Sequence, residues 1–442
     1  MSKLQPYTAY YPVKYDYKSQ LPEGWRLLPN IAIFQERVER GHEDKELLSV
    51  TIGRGVIKQS ELDKKDSSTL DKSKYLLVYP GDLVYSMRFR QGASGCSLYK
   101  GIVSPACTVL RPKKGIELNP RFFYYMFRTG FYKNYVERFA YGIADGQIPL
   151  RYVDFKRMYS IVPPLETQNA IVAYLDRKTQ QIQEFIAKKE RLIELLEEQL
   201  NKIIFSLIIE SADCKQTKKN TNSAFQSLVP ENWQEHRIKF LCSKPVTGQW
   251  GEDSKGNKND IVCIRIADFN KLELITEGHT IRNIIPNDRL LLRENDLLIE
   301  KSGGGDKTPV GRVVKFSLPI KAITSNFISK ISAKENIILS DYLLQIFNCL
   351  NIVRYNILSI KQTTGIQNLD MNHYLSNKIY IPSIENQKII LEKINNLTRS
   401  NDNLIQKAYS EIEKAKEYQE SLITQIVTGQ LKVPENAKAN LG

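Results

Sequence analysis

The sequence predicts an α+β protein in which two mixed α/β domains are joined by two long antiparallel coiled-coil helices, with a pseudo-two-fold internal repeat. Three observations lead to this fold class. The chain resembles itself at a nearly fixed offset, each copy ends in a long heptad pattern of apolar residues, and each copy begins with short β-rich runs between turns. A chain of 442 residues is also too long for a single hydrophobic core.

The repeat is visible in short motifs that occur twice in the same order. Leu21-Pro-Glu-Gly-Trp25 returns as Val229-Pro-Glu-Asn-Trp233. Residues 80–84 return as 294–298, and 102–106 as 323–327. From Gly146 and Gly365 onward, all matches differ by 219 positions. A constant offset means that this part has no insertions, whereas the drifting offsets upstream indicate loops of variable length.

The part with constant offset is predicted to be a long helix in each copy. Its apolar residues recur at a mean step of about 3.5 for roughly six heptads, which is typical of a coiled coil. Pro164 and Ser383 suit helix starts, and Gly429 suits the residue after a helix end. The predicted seam consists of Ile171, Leu175, Ile182, Phe185, Ile193, Leu196, Ile203, Ile390, Ile394, Leu397, Leu404, Ile412, Leu422 and Ile426.

Connectivity then predicts the topology. The first helix leaves the first domain and ends at the second, so a second helix packed on the first must run back antiparallel to it. The expected segments are an N-terminal extension (1–20), a first domain (21–163), a first long helix (164–210), a linker (211–228), a second domain (229–382), a second long helix (383–429) and a C-terminal tail (430–442).

The globular parts are predicted to be mixed. Short β-rich runs at 75–79, 261–266 and 312–316 lie between turn residues. Each part also has one helical stretch, at 120–127 and at 340–347, whose aromatic side chains we assign to the core.

Composition favours a cytoplasmic protein with a polyanionic partner. The chain has 63 Lys and Arg against 49 Asp and Glu, a net charge of +14. Its six cysteines and four histidines are scattered, so we expect reduced thiols and no metal site. Neither a signal peptide nor a membrane span is indicated.

The order of the repeated motifs resembles the specificity subunits of type I restriction–modification enzymes. The residues that carry the resemblance are 21–25 with 229–233, Gly101-Ile-Val-Ser-Pro-Ala106, Lys301-Ser-Gly-Gly-Gly305 leading to Gly311-Arg312, Thr364-Gly-Ile-Gln-Asn-Leu369, and 163–168 with 382–387. The first copy departs from the pattern at Asp145-Gly-Gln-Ile-Pro-Leu150, which lacks the Gln-Asn-Leu of the second.

The resemblance implies a binding and assembly protein without catalytic residues. Each domain would be a target-recognition domain that reads one half of a split, asymmetric site in double-stranded DNA. The helices would space the domains and dock two methyltransferase subunits, with two restriction subunits joining them. S-adenosylmethionine, ATP and Mg²⁺ would belong to those partners, and this chain would hold no cofactor.

Motifs for chemistry are missing from the sequence. There is no Asp/Asn-Pro-Pro-aromatic motif, no glycine-rich cofactor motif after a strand and no Walker A motif. Ser302-Gly-Gly-Gly-Asp-Lys-Thr308 has the wrong spacing for a phosphate loop. Two other classes stay open at this point: a DNA methyltransferase or nuclease with a diverged motif, and a non-enzymatic coiled-coil DNA-binding regulator.

Candidate DNA contacts are basic or amide side chains in loops near the repeated motifs, because such donors reach phosphates and base edges. They are Arg54, Lys58, Arg88, Arg90, Gln91 and Gln147 in the first domain, and Lys255, Lys258, Lys301, Lys307, Gln362 and Gln367 in the second. The tyrosine-rich start is either an arm that docks a partner or a packed or partly disordered extension.

Overall fold

The computed structural model describes residues 4–15, 18–62, 71–139, 150–210, 217–223, 225–305, 308–363 and 365–434. The chain forms two compact units: Met1–Glu190 with Tyr409–Gly442, and Arg191–Ala408. Each unit therefore contains a globular part, the beginning of one long helix and the end of the other. The predicted α+β class and the internal repeat are confirmed.

Antiparallel pairing organises the strands of the first unit. The central sheet has four strands in the order Phe34–Glu36, Thr108–Pro112, Leu83–Tyr85 and Ser94–Cys96. The other pairs are Tyr10–Tyr15 with Lys18–Pro22, Arg26–Pro29 with Tyr159–Val162, Leu48–Thr51 with Gly55–Lys58, and Leu76–Val78 with Gly101–Val103.

The second unit has two four-stranded sheets. One runs Val246–Thr247, Ile328–Ile331, Leu297–Glu300, Val313–Lys315, and the other Glu252–Asp253, Thr280–Asn283, Asp260–Ile264, Ala322–Thr324. The remaining strands are Ser302–Gly303 with Ile366–Leu369 and Ile360–Thr363, Gln234–Arg237 with Lys378–Ile381, Lys218–Asn220 with Leu228–Pro230, and Phe269–Asn270 with Glu273–Leu274. Residues 218–220, expected to belong to a linker, thus form a strand.

Short helices complete both units. The α-helices are Asn30–Ile33, Pro120–Arg128, Gly130–Val136 and Tyr152–Phe155 in the first unit, and Ile238–Leu241, Ser340–Ile352 and Met371–Leu375 in the second. The 3-10 turns are Gln59–Glu61, Phe89–Gln91, Ile266–Asp268 and Tyr355–Ser359. The aromatic residues of Pro120–Arg128 and Ser340–Ile352 lie mainly in the cores, as predicted.

A buried glutamine joins each globular part to its long helix. The Gln168 side chain accepts a hydrogen bond from the Asn119 amide at 2.9 Å and donates to the Pro163 carbonyl at 2.8 Å. Gln387, which lies 219 positions later, accepts from the Leu339 amide at 2.9 Å and donates to the Pro382 carbonyl at 3.0 Å. The repeated glutamine is therefore a structural residue that fixes where each long helix leaves its domain.

The two long helices span Leu165–Phe205, followed by a π-helical turn at Ser206–Glu210, and Ile384–Val427. In the first unit they are antiparallel. Leu175 and Leu422 belong to the same core cluster, and the Lys189 ammonium lies 2.6 Å from the Glu411 carboxylate, so residue numbers rise along one helix and fall along the other. Gly429 ends the second helix in a left-handed conformation, as expected.

Each core is completed by the end of the helix that began in the other copy. In the first unit Leu422 and Ile426 join the cluster that contains Trp25. In the second unit Ile204 and Leu207 join the cluster that contains Tyr342. The apolar face of a long helix end is thus buried against a globular core rather than against another helix alone.

Heptad spacing corrects two seam positions. Phe185 is 40 % exposed and Leu404 is 51 % exposed, so neither is a seam residue. Ile405 is only 6 % exposed and lies seven residues before Ile412, on the same face. Ile186 takes the corresponding place in the first helix, seven residues before Ile193. A mean step of 3.5 cannot distinguish adjacent apolar residues, whereas a strict seven-residue repeat can.

The tyrosine-rich start packs against the C-terminal tail of the same unit. The Tyr10 hydroxyl donates to the Gly429 carbonyl at 3.0 Å, and the Tyr7 and Trp25 rings lie 5.5 Å apart in an edge-on contact. The Lys432 amide donates to the Gln5 carbonyl at 2.8 Å. Of the two interpretations of this segment, the structure favours the packed extension.

The corrected seam predicts different effects for two neighbouring truncations. Ile405→Ala should lower the free energy of unfolding by about 2–5 kcal/mol, because it leaves a cavity at a buried position. Leu404→Ala, the matched control, should change it by no more than about 0.5 kcal/mol, because the side chain is already half in water. Denaturant midpoints of the two variants measure the difference. Equal losses would contradict the assigned seam.

Candidate nucleic-acid interface

A buried aspartate fixes the turn before the strand that carries a candidate loop in each unit. The Asp82 carboxylate accepts from the Tyr79 amide at 2.8 Å and from the Arg37 guanidinium at 2.9 Å. Asp296 accepts from the Arg293 amide at 2.9 Å and from the Lys330 ammonium at 3.1 Å. Both carboxylates bind the amide three residues earlier, so the repeat extends to individual hydrogen bonds. The strands that follow lead to Arg88 and to Lys301.

In the first unit, Arg128 ties two candidate loops together. Its guanidinium donates to the carbonyls of Ile52 and Gly53 in one loop, at 2.6 and 3.0 Å. It also donates to those of Gly92 and Ser94 in the other, at 3.0 Å each. Four charge-assisted bonds from one side chain make Arg128 a positioning residue for both loops.

Five of the first-unit candidates lie among the described residues. Four of them are exposed, whereas Lys58 is partly exposed at the end of strand Gly55–Lys58, and three of the five are already in ion pairs. Arg54 pairs with Glu61 at 3.0 Å, Lys58 with Glu46 at 3.0 Å, and Arg90 with Glu137 at 2.6 Å. The hydrogen bond to Glu46 raises the pKa of Lys58. Arg88 and Gln91 are exposed beside Arg90, and Gln147 lies outside the described residues. Exposed ion pairs are weak enough to exchange a carboxylate for a phosphate.

In the second unit, Lys255 and Lys258 lie on one rigid turn. The Asp260 carboxylate accepts from the Ser254 hydroxyl at 2.6 Å, the Gly256 amide at 2.7 Å and the Asn283 amide at 2.6 Å. These bonds hold the pKa of Asp260 well below its usual range. The turn is therefore preorganised, and both lysines are exposed on it.

The other candidates of the second unit separate into different environments. The Lys301 ammonium donates to the Thr247 hydroxyl at 3.3 Å, on a partly exposed surface. Gln367 is only 6 % exposed, and its carbonyl oxygen accepts from the Val310 amide at 3.3 Å. Gln367 is thus placed as a structural residue rather than as a DNA contact. Gln362 lies in a strand, but its side chain, like Lys307, lies outside the described set.

Sequence reasoning missed an exposed group beside Lys301. Gln249, Trp250, Asn326 and Phe327 all present their side chains to solvent. The Arg282 guanidinium stacks 4.5 Å above the Trp250 ring. Only the repeated motif at 323–327 pointed to this region, because exposure there depends on strands distant in sequence.

A cavity of about 680 Å³ in the first unit holds several polar groups that satisfy one another. Asp176 accepts from the Arg121 guanidinium at 2.7 Å and from the Tyr125 hydroxyl at 2.5 Å. Burial raises the pKa of Tyr125, which disfavours its use as a general base at neutral pH. Because these groups are hydrogen-bonded to one another, we interpret them as a structural network.

The buried cysteine thiols are also poor candidates for catalytic nucleophiles. Burial raises the pKa of Cys107 to about 12 and that of Cys242 to about 11, so both stay protonated at neutral pH. Among the residues the structure describes, no group of three or more His, Cys, Asp or Glu could hold a metal ion. Within the same residues, no helix is long and apolar enough to cross a membrane.

Comparison with known proteins gives consistent matches across both copies. The model of the type I restriction modification DNA specificity domain matches residues 49–196 and 230–414. The type I restriction enzyme EcoBI specificity subunit of Escherichia coli is 20 % identical over 370 residues, which is 80 % of this chain and 74 % of that protein.

Two solved structures show the same fold at 16 % identity. One, from work on complex assembly and conformational transition of the type I R-M system, has a TM-score of 0.68 and covers 93 % of this chain and 99 % of that chain. The HsdS subunit from Thermoanaerobacter tengcongensis has a TM-score of 0.52 and covers 93 % of this chain and 98 % of that chain.

The clamp made by Arg128 predicts a local loss of order when it is removed. Arg128→Met should raise the hydrogen-exchange rates of residues 51–55 and 92–95 by about tenfold or more, because four carbonyl acceptors lose their donor. Arg121→Met, on the same helix, should leave both loops unchanged. Exchange measured by mass spectrometry checks this. Similar protection in the two variants would show that the loops are held by other contacts.

Proposed function

Because the chain belongs to the type I restriction modification DNA specificity family, we propose that it reads a bipartite, asymmetric DNA site, with one globular part for each half-site. The chain is a DNA specificity subunit of the type I restriction–modification class. The observation that carries the finer proposal is the repeat: the family model matches once in each copy. One recognition fold present twice suits two half-sites.

The loops of the two copies favour an asymmetric site. The first unit offers arginines and a glutamine at 54, 88, 90 and 91, on loops tied by Arg128. The second offers lysines at 255, 258 and 301, on differently shaped turns. Arginine and lysine present different donor geometries to bases and phosphates. Two copies that carry different side chains would therefore read different sequences.

Charge supports a large phosphate contribution to binding. The net charge of +14 favours association with the DNA polyanion, and exposed ion pairs such as Arg90 with Glu137 can reorganise toward phosphates. This contribution is independent of sequence, so specificity rests on the few side chains that reach base edges.

We further propose that the long helices dock two methyltransferase subunits, through which two restriction subunits join. Several apolar side chains on these helices face solvent away from the seam. They are Phe185, Leu192, Leu195, Ile389 and Leu404. Exposed apolar rows on a helix are typical of surfaces that pack against further helices. In this proposal, S-adenosylmethionine, ATP and Mg²⁺ are bound by the partners, which carry out adenine methylation and cleavage.

Mapping of methylated adenines tests the function. A host that expresses this chain with its methyltransferase subunit should methylate adenines within one split sequence, and a host without this gene should not. Methylation at unrelated sequences, or in a single continuous motif, would overturn the bipartite proposal. As a control, the isolated chain incubated with labelled S-adenosylmethionine and DNA should transfer no methyl groups. Transfer above background would instead indicate an enzyme.

We expect the helices to set the spacer between half-sites. A seven-residue insertion after both Glu194 and Glu413 keeps the heptad phase and lengthens each helix by about 10 Å. At roughly 3.4 Å per base pair, the spacer should grow by about three base pairs while both half-site sequences stay the same.

A four-residue insertion at the same two points is the matched control. It breaks the heptad phase and should cost far more activity. Methylation maps of both variants decide the matter. An active heptad variant with an unaltered spacer would refute this role of the helices, and altered half-site bases would mean that the helices take part in reading.

A further inference from the structure

Three loops of the second unit converge at one edge of its sheets. The segment after strand Val246–Thr247 is hydrogen-bonded to the residues that flank the turn at 325–327, and the loop that begins at Lys301 is hydrogen-bonded to the turn itself. The Gly248 amide donates to the Ile328 carbonyl at 3.1 Å, and the Gln249 amide donates to the Thr324 carbonyl at 2.9 Å. The Lys301 amide donates to the Phe327 carbonyl at 2.8 Å. We call the exposed side chains of this edge, Gln249, Asn326, Phe327 and Lys301, the tip.

A glycine allows the two backbones of the tip to touch. A Cβ atom on Gly248 would lie 2.0 Å from the Thr324 carbonyl oxygen, so no other residue fits without moving the backbone. The Gln249 carbonyl is also close to the Cys263 thiol, at 3.8 Å. The backbone of Gln249 is therefore fixed on both sides, while its side chain is exposed.

The amide side chains of the tip have no hydrogen-bond partner among the described residues. Both Gln249 and Asn326 are exposed, so their donors and acceptors are available to a ligand. Phe327, which is 43 % exposed, follows Asn326 directly in the chain, and the Lys301 ammonium donates to the hydroxyl of Thr247, two residues before Gln249. Exposed amides near an exposed aromatic ring and a cation form a surface that suits bases and phosphates.

The internal repeat separates scaffold from variable chemistry at this place. Ser104-Pro105-Ala106 of the first unit corresponds to Ser325-Asn326-Phe327 of the second. The strand residues just before these turns are buried in both units, and the two residues after each serine are exposed in both. Those exposed residues differ completely in chemistry. A shared backbone with different exposed side chains is expected where two copies of one fold read different sequences.

We propose that Gln249 and Asn326 read base edges in the half-site contacted by the second unit, with Lys301 on an adjacent phosphate. The inference rests on the proposed function. An amide that accepts with its oxygen and donates with its nitrogen matches the N6 and N7 atoms of adenine in the major groove. Phe327 can contact a thymine methyl group beside it.

The test uses the full chain assembled with its methyltransferase subunits. Gln249→Ala and Asn326→Ala should each relax discrimination by roughly ten- to hundredfold at one base pair of a single half-site, because a bidentate contact is lost. Binding is measured by competition against duplexes that carry every single-base change in the recognised sequence. Lys301→Ala should weaken binding to all these duplexes by a similar factor and reduce the salt dependence.

Matched controls separate reading from folding. Gln234→Ala and Asn372→Ala remove exposed amides elsewhere in the second unit and should leave every preference unchanged. Gln249→Glu keeps the shape of the side chain but cannot donate a hydrogen bond, so it should lose the same preference as Gln249→Ala. Thermal melting within about 2 °C of the parent protein confirms that each variant is folded.

The outcomes are distinct. Relaxation confined to one half-site supports the inference. For the two amide variants, unchanged discrimination, a uniform loss of binding to all duplexes, or a change in the other half-site overturns it. If the parent assembly itself shows no split-site preference, the proposed function fails. If the parent reads a split site that Gln249→Ala and Asn326→Ala leave intact, only the present inference fails.

Discussion

The architecture depends on the burial of each long helix end in a core that it did not begin from. In the first unit, Ile426 near the C-terminus is fully buried in the same cluster as Trp25 near the N-terminus. In the second unit, Ile208 is buried at the equivalent end of the first helix. Apolar burial supplies most of the folding free energy of such a unit. Neither half of the sequence alone supplies a complete core, so the repeat folds as an exchange of helices.

Hydrogen-bonded junctions fix the direction in which each long helix leaves its globular part. The paired glutamines at 168 and 387 have almost no exposed surface, and each satisfies a backbone amide and a carbonyl where a long helix begins. Loss of either partner would leave buried polar groups unpaired, which is costly. The helices therefore leave their domains in a defined direction, while loops farther away, such as those tied by Arg128, can differ between copies.

The sequence was sufficient to predict the parts of the fold that periodicity governs. Both long helices, their starts near Pro164 and Ser383 and the end at Gly429 follow from heptads and capping residues. Which residues of the helix face the seam was harder to predict, because Leu404 and Ile405 are both apolar and only the strict seven-residue register distinguishes them. Local pattern fixes an element more firmly than it fixes which neighbouring residue is buried.

The candidate nucleic-acid interface was harder to predict from the sequence, because the exposure of its side chains depends on contacts between distant segments. The sequence suggests that Gln367 is an exposed loop amide. In the structure its side-chain oxygen accepts a hydrogen bond from the Val310 amide, 57 positions away. The exposure of Gln249 could not be predicted from the sequence, because it depends on the contact between Gly248 and Thr324. Basic residues were easier to find, but ion pairs such as Lys58 with Glu46 could not be read from composition. Loop function is decided by tertiary neighbours.

A charged pair between the long helices affects which helices can pair with each other. Lys189 and Glu411 form a partly buried charged pair between the two helices of the first unit. Polar groups at such positions lower stability but penalise wrong registers and wrong partners. In a host that makes several proteins with similar apolar helices, each newly synthesised chain would thus favour its own second helix over that of an unrelated one.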